Sequence, residues 1–199
     1  MAIHECRRYR MSRRAESVAE TERRILLAAE RQFFERPFDQ VRLEDVAAEA
    51  GVSAPTVIHR FRSKEELALA AARAGAERVR MERSEAPAGD IGGAVANLVD
   101  HYERWGDAVL HLLSQETAVA TIRTVTDLGR SQHAEWVERV FASWLHATPA
   151  AARQRRLAQA VALTDIYIWK LLRRDRGLGR AETETAIVEM LSALMGDKS

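Results

Sequence analysis

A chain of 199 residues, 47% hydrophobic and 30% charged, is long enough for one large domain or two small ones and able to bury a core. With 30 Lys and Arg against 29 Asp and Glu the formal net charge is +1, which excludes a uniformly polybasic protein; a single cysteine, Cys6, excludes an internal disulfide and a thiolate metal cage. The balance is uneven, because residues 1–64 hold 13 basic and 10 acidic side chains whereas residues 65–199 hold 17 and 19.

No apolar run reaches the ~20 residues that span a bilayer. The best candidate, Leu157 to Leu172, is interrupted by Gln159, Thr164, Asp165 and Lys170. The basic start also lacks the apolar stretch of a secretory signal, so a cytoplasmic protein with no membrane partner is expected.

Residues 1–17, with five arginines between Arg7 and Arg14, read either as a flexible basic arm along a DNA backbone or minor groove, or as a plain tail. From about Ala19 to Arg36, Ile25, Leu26, Ala29, Phe33 and Phe34 recur at helical spacing until Pro37 ends the run. Three shorter helices are predicted at Leu43 to Ala50, Ala54 to Phe61 and Lys64 to about Met81. The Gly-, Pro- and Ala-rich stretch Ser84 to Gly93 suggests a boundary, giving a front domain over residues 18–82 and a rear domain over 83–199.

Five further helical segments are expected behind it. Ala94, Leu98, His101 and Trp105 mark one, and Val109, Leu112 and Leu113 the next. Thr121 to His146 and Leu157 to Leu172 carry long apolar stripes, and a last helix carries Ile187, Met190, Leu191 and Leu194. No alternating β-branched run reads as a strand, so the fold class is all-α: a small three-helix front domain and a larger helical rear one.

The informative segment is Arg42 to Phe61, RLEDVAAEAGVSAPTVIHRF. Ala47 permits close helix approach, and Gly51 can take the left-handed conformation that ends a helix. Val46, Ala50, Val52 and Val57 then face inward, while Ser53 stands at an N-cap and Pro55 in a first turn. That arithmetic describes a helix-turn-helix over residues 42–61, whose second helix enters the major groove of double-stranded DNA. His59, Arg60, Arg62 and Lys64 follow Thr56 across one end of that helix and the start of the next. Arg60 has the chemistry of a bidentate guanine contact and Lys64 that of a phosphate contact.

The segment from Thr21 to Ala70 resembles the DNA-binding domain of TetR-type, tetracycline-repressor-like regulators. The matching pieces are Ala28, Ala29 and Phe33; Asp45 to Ser53; Thr56 to Phe61; and the SKEEL run at Ser63 to Leu67. The resemblance implies a homodimer whose two recognition helices read the half-sites of a near-palindromic operator, usually as a repressor that a small-molecule effector releases. It also implies Thr56, His59 and Arg60 at bases or adjacent phosphates, and Lys64 at a phosphate. Two positions depart from the pattern: Ile58 stands where a tyrosine is common, and Arg42 where a small hydroxyl residue is common. Arg42 can itself supply phosphate affinity.

In the rear domain, Leu157 to Leu172 and Ala181 to Met195 are too apolar to be solvated all round. Burial within one chain and burial against a second copy are both open on the residues alone, and the resemblance favours dimerisation. His101, Trp105, His111, Trp136, Phe141 and Tyr167 are candidates for the wall of an effector pocket with polar handles, or else ordinary core residues. Asp165 is unexpected in an apolar stretch, with Arg173, a ligand, a partner chain or solvent as its possible company. The sequence contains no G-x-S-x-G, H-E-x-x-H, Walker or G-x-G-x-x-G motif. Neither His101 with His111 nor His133 with Glu135 has the helical spacing of a shared metal. The reading is therefore a DNA-binding regulator without catalytic residues, cofactor or metal, the alternatives being a ligand-independent architectural DNA-binding protein or an all-α enzyme.

Overall fold

The computed structural model describes residues 2–86 and 88–196, with side chains from residue 16 onward. All regular structure among the described residues is helical. Helix α1 spans Ala2–Glu35, α2 Leu43–Ala50, α3 Ala54–Phe61 and α4 Lys64–Ser84, with one 3₁₀ turn at Phe38–Gln40. Then follow α5 (Ile91–Leu113), α6 (Ala120–Val140), α7 (Ala142–Ala147), α8 (Ala150–Leu163), α9 (Ile166–Lys170), a π-helical turn at Leu171–Asp175, and α10 (Arg180–Met195). The backbone of the basic leader belongs to α1; its contacts, expected from an arm over residues 1–17, fall almost wholly on side chains outside those described.

The chain forms two compact units. The first comprises Met1–Gly75 with Gln115–Val125, and the second Ala76–Ser114 with Thr126–Ser199. The division thus falls inside α4 and not in the Ser84 to Gly93 stretch. The second half of α4 is bound into the second unit through its backbone carbonyls. Gln132 Nε2 donates to Ala76 (3.2 Å), Asn97 Nδ2 to Glu82 (3.2 Å) and Arg139 Nη2 to Arg83 (2.8 Å).

In the first unit, α1 buries Ile25, Ala28, Ala29 and Phe33, one helical face at the spacing i, i+3, i+4, i+8. Phe33 stacks on Phe38, with ring centroids 5.5 Å apart, just beyond the Pro37 break. The Phe38 N–H donates to Gln115 Oε1 (2.8 Å), and its carbonyl accepts from Lys64 Nζ (2.8 Å). The core is completed by Val41, Val46, Val57, Phe61, Leu67 and Ile122.

The second unit is built around Val95, Leu98 and Val99 of α5, Val137 and Val140 of α6, Trp169 of α9, and Ile187 and Leu191 of α10. At Gly106 a Cβ would lie only 2.5 Å from the Trp169 ring, so the absent side chain is what lets α5 approach α9. Three sequence expectations are corrected. The two segments expected between Ala94 and Leu113 are one helix, α5. The helix expected from Thr121 to His146 is interrupted at Phe141, where the Val140 carbonyl accepts the Gly89 N–H (3.0 Å). The helix expected from Leu157 to Leu172 is broken at Thr164 and Asp165, because the Asp165 carboxylate accepts the Tyr167 N–H (2.9 Å) and starts α9 as its N-cap. Arg173 pairs instead with Glu103, through Nε to Oε1 (2.7 Å) and Nη2 to Oε2 (3.0 Å).

Candidate nucleic-acid interface

Helix α2 ends where its sequence requires. Gly51 takes φ 67° and ψ 39°, the left-handed conformation. The turn is closed by the Val52 N–H on the Ala47 carbonyl (2.9 Å) and the Gly51 N–H on that of Ala48 (3.1 Å). Val46, Ala47 and Ala50 are buried on one side of this turn, and Val57 and Phe61 on the other. Helix α2 is also tied to α1 by polar contacts: Glu49 accepts from Arg31 Nε (2.5 Å) and Gln32 Nε2 (2.6 Å), and Asp45 from Arg36 Nη1 (3.1 Å). Burial pushes the Glu49 carboxyl upward, but the Gln32 and Arg31 bonds outweigh it and hold the group below its ordinary value.

Ser53 occupies the N-cap position of α3 with an extended backbone, φ −82° and ψ 149°. Its hydroxyl does not cap the helix backbone, as its residue type suggested; it pairs with Thr56 Oγ1 at 2.8 Å. Pro55 sits in the first turn, where no intrahelical N–H is needed.

With Val57 and Phe61 turned inward, α3 exposes Pro55, Thr56, Ile58, His59 and Arg60. Thr56, His59 and Arg60 stand at i, i+3 and i+4 and share one exposed face. Ile58 is 46% exposed, an apolar group among polar ones and able to offer a methyl contact. Arg60 is engaged from within the chain, its Nη2 donating to Glu22 Oε2 of α1. Arg42, also exposed, lies just before α2 with an extended backbone and no side-chain capping bond.

Lys64 has a structural role that spacing did not reveal. Its ammonium donates to the Phe38 carbonyl and lies 4.6 Å from the centroid of the Phe38 ring. Two further features escaped the sequence reading. Arg62 has φ 59° and ψ −42°, and the Ser63 N–H reaches back to the Phe61 carbonyl (2.6 Å), a strained γ-turn directly after α3. Arg24 of α1 brings its Nη1 to 3.4 Å from where a Cβ on Gly51 would stand, placing another guanidinium at the helix-turn-helix corner.

The six residues considered for an effector wall are not brought together as one set. His101, Trp136 and Phe141 are buried at 7%, 5% and 2% exposure, His111 is half-buried, and Trp105 and Tyr167 are exposed at 36% and 54%. The inward face of α5 thus runs on from His101 through Tyr102 and Gly106 to Leu112, and Trp105 lies to the side of it. Burial, with Arg83 adding repulsion, pushes His101 and His133 down to about 3. Glu103 is also held low, which for a carboxylate favours the charged form: down to about 2, chiefly by the Arg173 hydrogen bonds, which outweigh the upward push of burial, with the Trp169 Nε1 donor adding to the lowering. Among the described residues no group of three or more His, Cys, Asp or Glu is placed to hold a metal ion, and no helix is long and apolar enough to cross a membrane.

A left-handed glycine corner, a short helix with an exposed polar face and a second helical unit define the class of helix-turn-helix regulators. Residues 25–71 match the profile of the bacterial regulatory proteins of the tetR family; the first unit carries that family's DNA-binding domain, and the chain has the TetR-family fold. Among solved structures, a TetR-family transcriptional regulator from Streptomyces coelicolor superposes with a TM-score of 0.70 at 23% identity, covering 89% of this chain and 81% of that one. A transcriptional regulator from Rhodococcus sp. Rha1 gives 0.67 at 16% identity, over 88% and 96% of the two chains. A TetR transcriptional regulator from Rhodococcus sp. RHA1 gives 0.55 at 18% identity, over 92% and 99%. At such identities the likeness is one of fold. No curated protein matches the chain in sequence.

Proposed function

We propose that the protein is a homodimeric transcriptional repressor that binds a near-palindromic operator and is released from it by a small-molecule effector. The observation that carries the reading is the exposed face of α3, where Thr56, His59 and Arg60 stand free of the core that Val57 and Phe61 anchor. Arg60 reads a guanine edge, Thr56 and His59 touch bases or neighbouring phosphates, and Arg42 and Lys64 hold the backbone. A single α3 reads only a few base pairs, so two copies related by a two-fold axis supply the specificity that one head lacks. Helices α8 and α10 expose small residues suited to helix–helix packing between copies: Ala151, Ala158 and Ala162 on α8, and Ala181 and Ala193 on α10. Effector binding in the second unit favours a separation of the two heads that no longer fits the half-sites, and it does so to the extent that the ligand prefers that state.

Titrating the purified protein against the DNA upstream of its own gene, in a gel-shift assay with scrambled competitor, tests the reading. A discrete shift that resists scrambled DNA supports it. Binding indistinguishable between the two DNAs refutes operator recognition, and a monomer by sedimentation at micromolar concentration refutes the two-headed arrangement.

A further inference from the structure

The second unit buries a cation without a counter-ion. Arg83, near the end of α4, is 6% exposed, and no carboxylate pairs with it among the described residues. Its guanidinium lies over the Trp136 indole, 4.3 Å from the ring centroid. Its Nη2 faces His133 Nδ1 at 3.2 Å.

The hydrogen-bond pattern fixes what His133 can offer. The Thr164 hydroxyl donates to the Ala160 carbonyl (2.7 Å), so toward His133 Nε2, at 3.0 Å, it can only accept. Nε2 therefore carries the proton, and Nδ1 is a neutral acceptor for Arg83. Tyr102 is a neutral phenol donating to the Thr164 carbonyl (3.0 Å). His101, whose ring lies 5.6 Å from that of Tyr102, is neutral too, since burial holds it far below its ordinary value. Arg83 has thus a neutral partner on one edge, an aromatic face beneath it, neutral rings around it and a second cation near it, Arg139, whose Nη2 donates to its carbonyl (2.8 Å). Burial lowers its own value only to about 10, so it remains charged at neutral pH.

Three buried atoms of this cluster have no partner: Arg83 Nε, Trp136 Nε1 and His101 Nδ1. The first two are N–H donors on stacked groups, and buried donors are almost always matched. What is missing beside them is an acceptor, and beside the unbalanced charge the acceptor is negative. We propose that this cluster binds the carboxylate of a small organic acid, with Arg83 Nε and Trp136 Nε1 as donors and Phe141, edge-on to Trp136 at 6.2 Å, beside the acid's apolar part. The proposal deepens the regulator reading by naming the effector's chemical class. It gathers three of the residues weighed for an effector wall, His101, Trp136 and Phe141, around an arginine that periodicity alone places on an ordinary helix.

The test uses the full chain and three acids, benzoate, phenylacetate and hexanoate, each against its amide at equal ionic strength. Melting temperature and tryptophan fluorescence are both read. At least one acid is expected to bind saturably and at least tenfold more tightly than its amide. Arg83→Met is expected to abolish that preference, and Trp136→Phe, which keeps an aromatic face but loses the N–H, to weaken acid binding severalfold. Acids and amides acting alike on the wild type, or the acid preference surviving Arg83→Met, would overturn the site; should Arg83→Met fail to fold, acid binding unchanged in Trp136→Phe would do so. The DNA reading is scored separately. An operator shift without acid binding leaves the regulator standing and removes this site, and acid binding that leaves the operator complex intact retains the site and removes the coupling.

Discussion

On the proposed reading, the Arg60–Glu22 ion pair competes with base contact by Arg60, and one substitution should expose by how much. Arg60 and Glu22 side chains are 31% and 41% exposed, so solvent screens the pair, and such pairs are worth about 0.2–1 kcal/mol. A bidentate arginine–guanine contact is worth about 1–3 kcal/mol of discrimination. Under that proposal the base contact outweighs the ion pair when operator is present, but only after Glu22 has been given up. Glu22→Gln should tighten operator binding by about 0.2–1 kcal/mol, up to about fivefold. Removing a carboxylate from a DNA-binding face also helps every phosphate contact, so the single variant does not isolate the pair. A double-mutant cycle with Arg60→Ala does. Fluorescence-anisotropy titrations of operator and scrambled fragments at two salt concentrations supply the four affinities. Arg60→Ala should cost about 1–3 kcal/mol on operator and much less on scrambled DNA. In the Arg60→Ala background the gain from Glu22→Gln should shrink to the general charge effect, equal on both DNAs. A gain that persists undiminished there would refute the idea that Glu22 holds a base-reading group.

Gly51→Ala should lower stability by about 1–2 kcal/mol in urea unfolding, since φ is 67° and only the backbone, not crowding, opposes a Cβ there. An unchanged midpoint would show that the corner relaxes freely. Gly106→Ala places a Cβ 2.5 Å from the fully buried Trp169 ring, and overpacking of about 1–3 kcal/mol exceeds the ~1 kcal/mol that alanine gains in a helix. A variant more stable than wild type would refute that contact. Arg62→Gly should stabilise by about 1 kcal/mol, because the strain of φ 59° exceeds the extra chain entropy glycine brings; a lower melting temperature would contradict it. His101 and His133 are held at about 3 when folded but titrate near 6.5 when unfolded, so the unfolded chain binds more protons below pH 6.5. Stability should therefore fall with pH from 6.5 toward 3, by up to about 1.4 kcal/mol per pH unit for each histidine, and Glu103, held at about 2, adds its loss between 4.5 and 2. Urea midpoints that do not move between pH 7 and 5 would refute the buried, neutral assignment.

The helix-turn-helix was legible because its determinants are local. The φ at Gly51 follows from residue type and position, and the inward faces at Val46, Ala50 and Val57 follow from helical spacing. What escaped was set by partners distant in sequence. Nothing near Arg60 names Glu22, 38 residues away, and nothing near Lys64 names the Phe38 carbonyl. Asp165 shows how a local signal can be outvoted: a carboxylate inside an apolar run suggests a paired charge, yet it begins a new helix, and the run of apolar residues on either side concealed the break. The same limit hid Arg83. Its place at the end of an amphipathic helix resembles that of any surface arginine, and packing against His133 and Trp136 of α6, distant in sequence, makes it a buried charge.

The shortness of α3 decides how its strain and its function fit together. Eight residues, Ala54–Phe61, are too few to persist as a helix in isolation, so tertiary contacts must hold it. Val57 and Phe61 supply them, at about 1.5–3 kcal/mol for each fully buried side chain. The γ-turn at Arg62 consumes about 1–3 kcal/mol immediately beside Phe61, and the burial of Phe61 offsets it. That turn also places Ser63 so that its hydroxyl accepts the Glu66 N–H (3.1 Å) and starts α4. The helix is therefore clamped at both ends, by the left-handed glycine before it and by the strained arginine after it, with two inward side chains between. Rotating α3 to suit a different DNA would expose Phe61 or unmake one of the two turns, each at a cost above 1 kcal/mol by about the same reckoning. Its exposed side chains are consequently presented in one orientation, and under the proposed function discrimination between operators would fall to the identity of residues 56, 59 and 60 and not to movement of the helix.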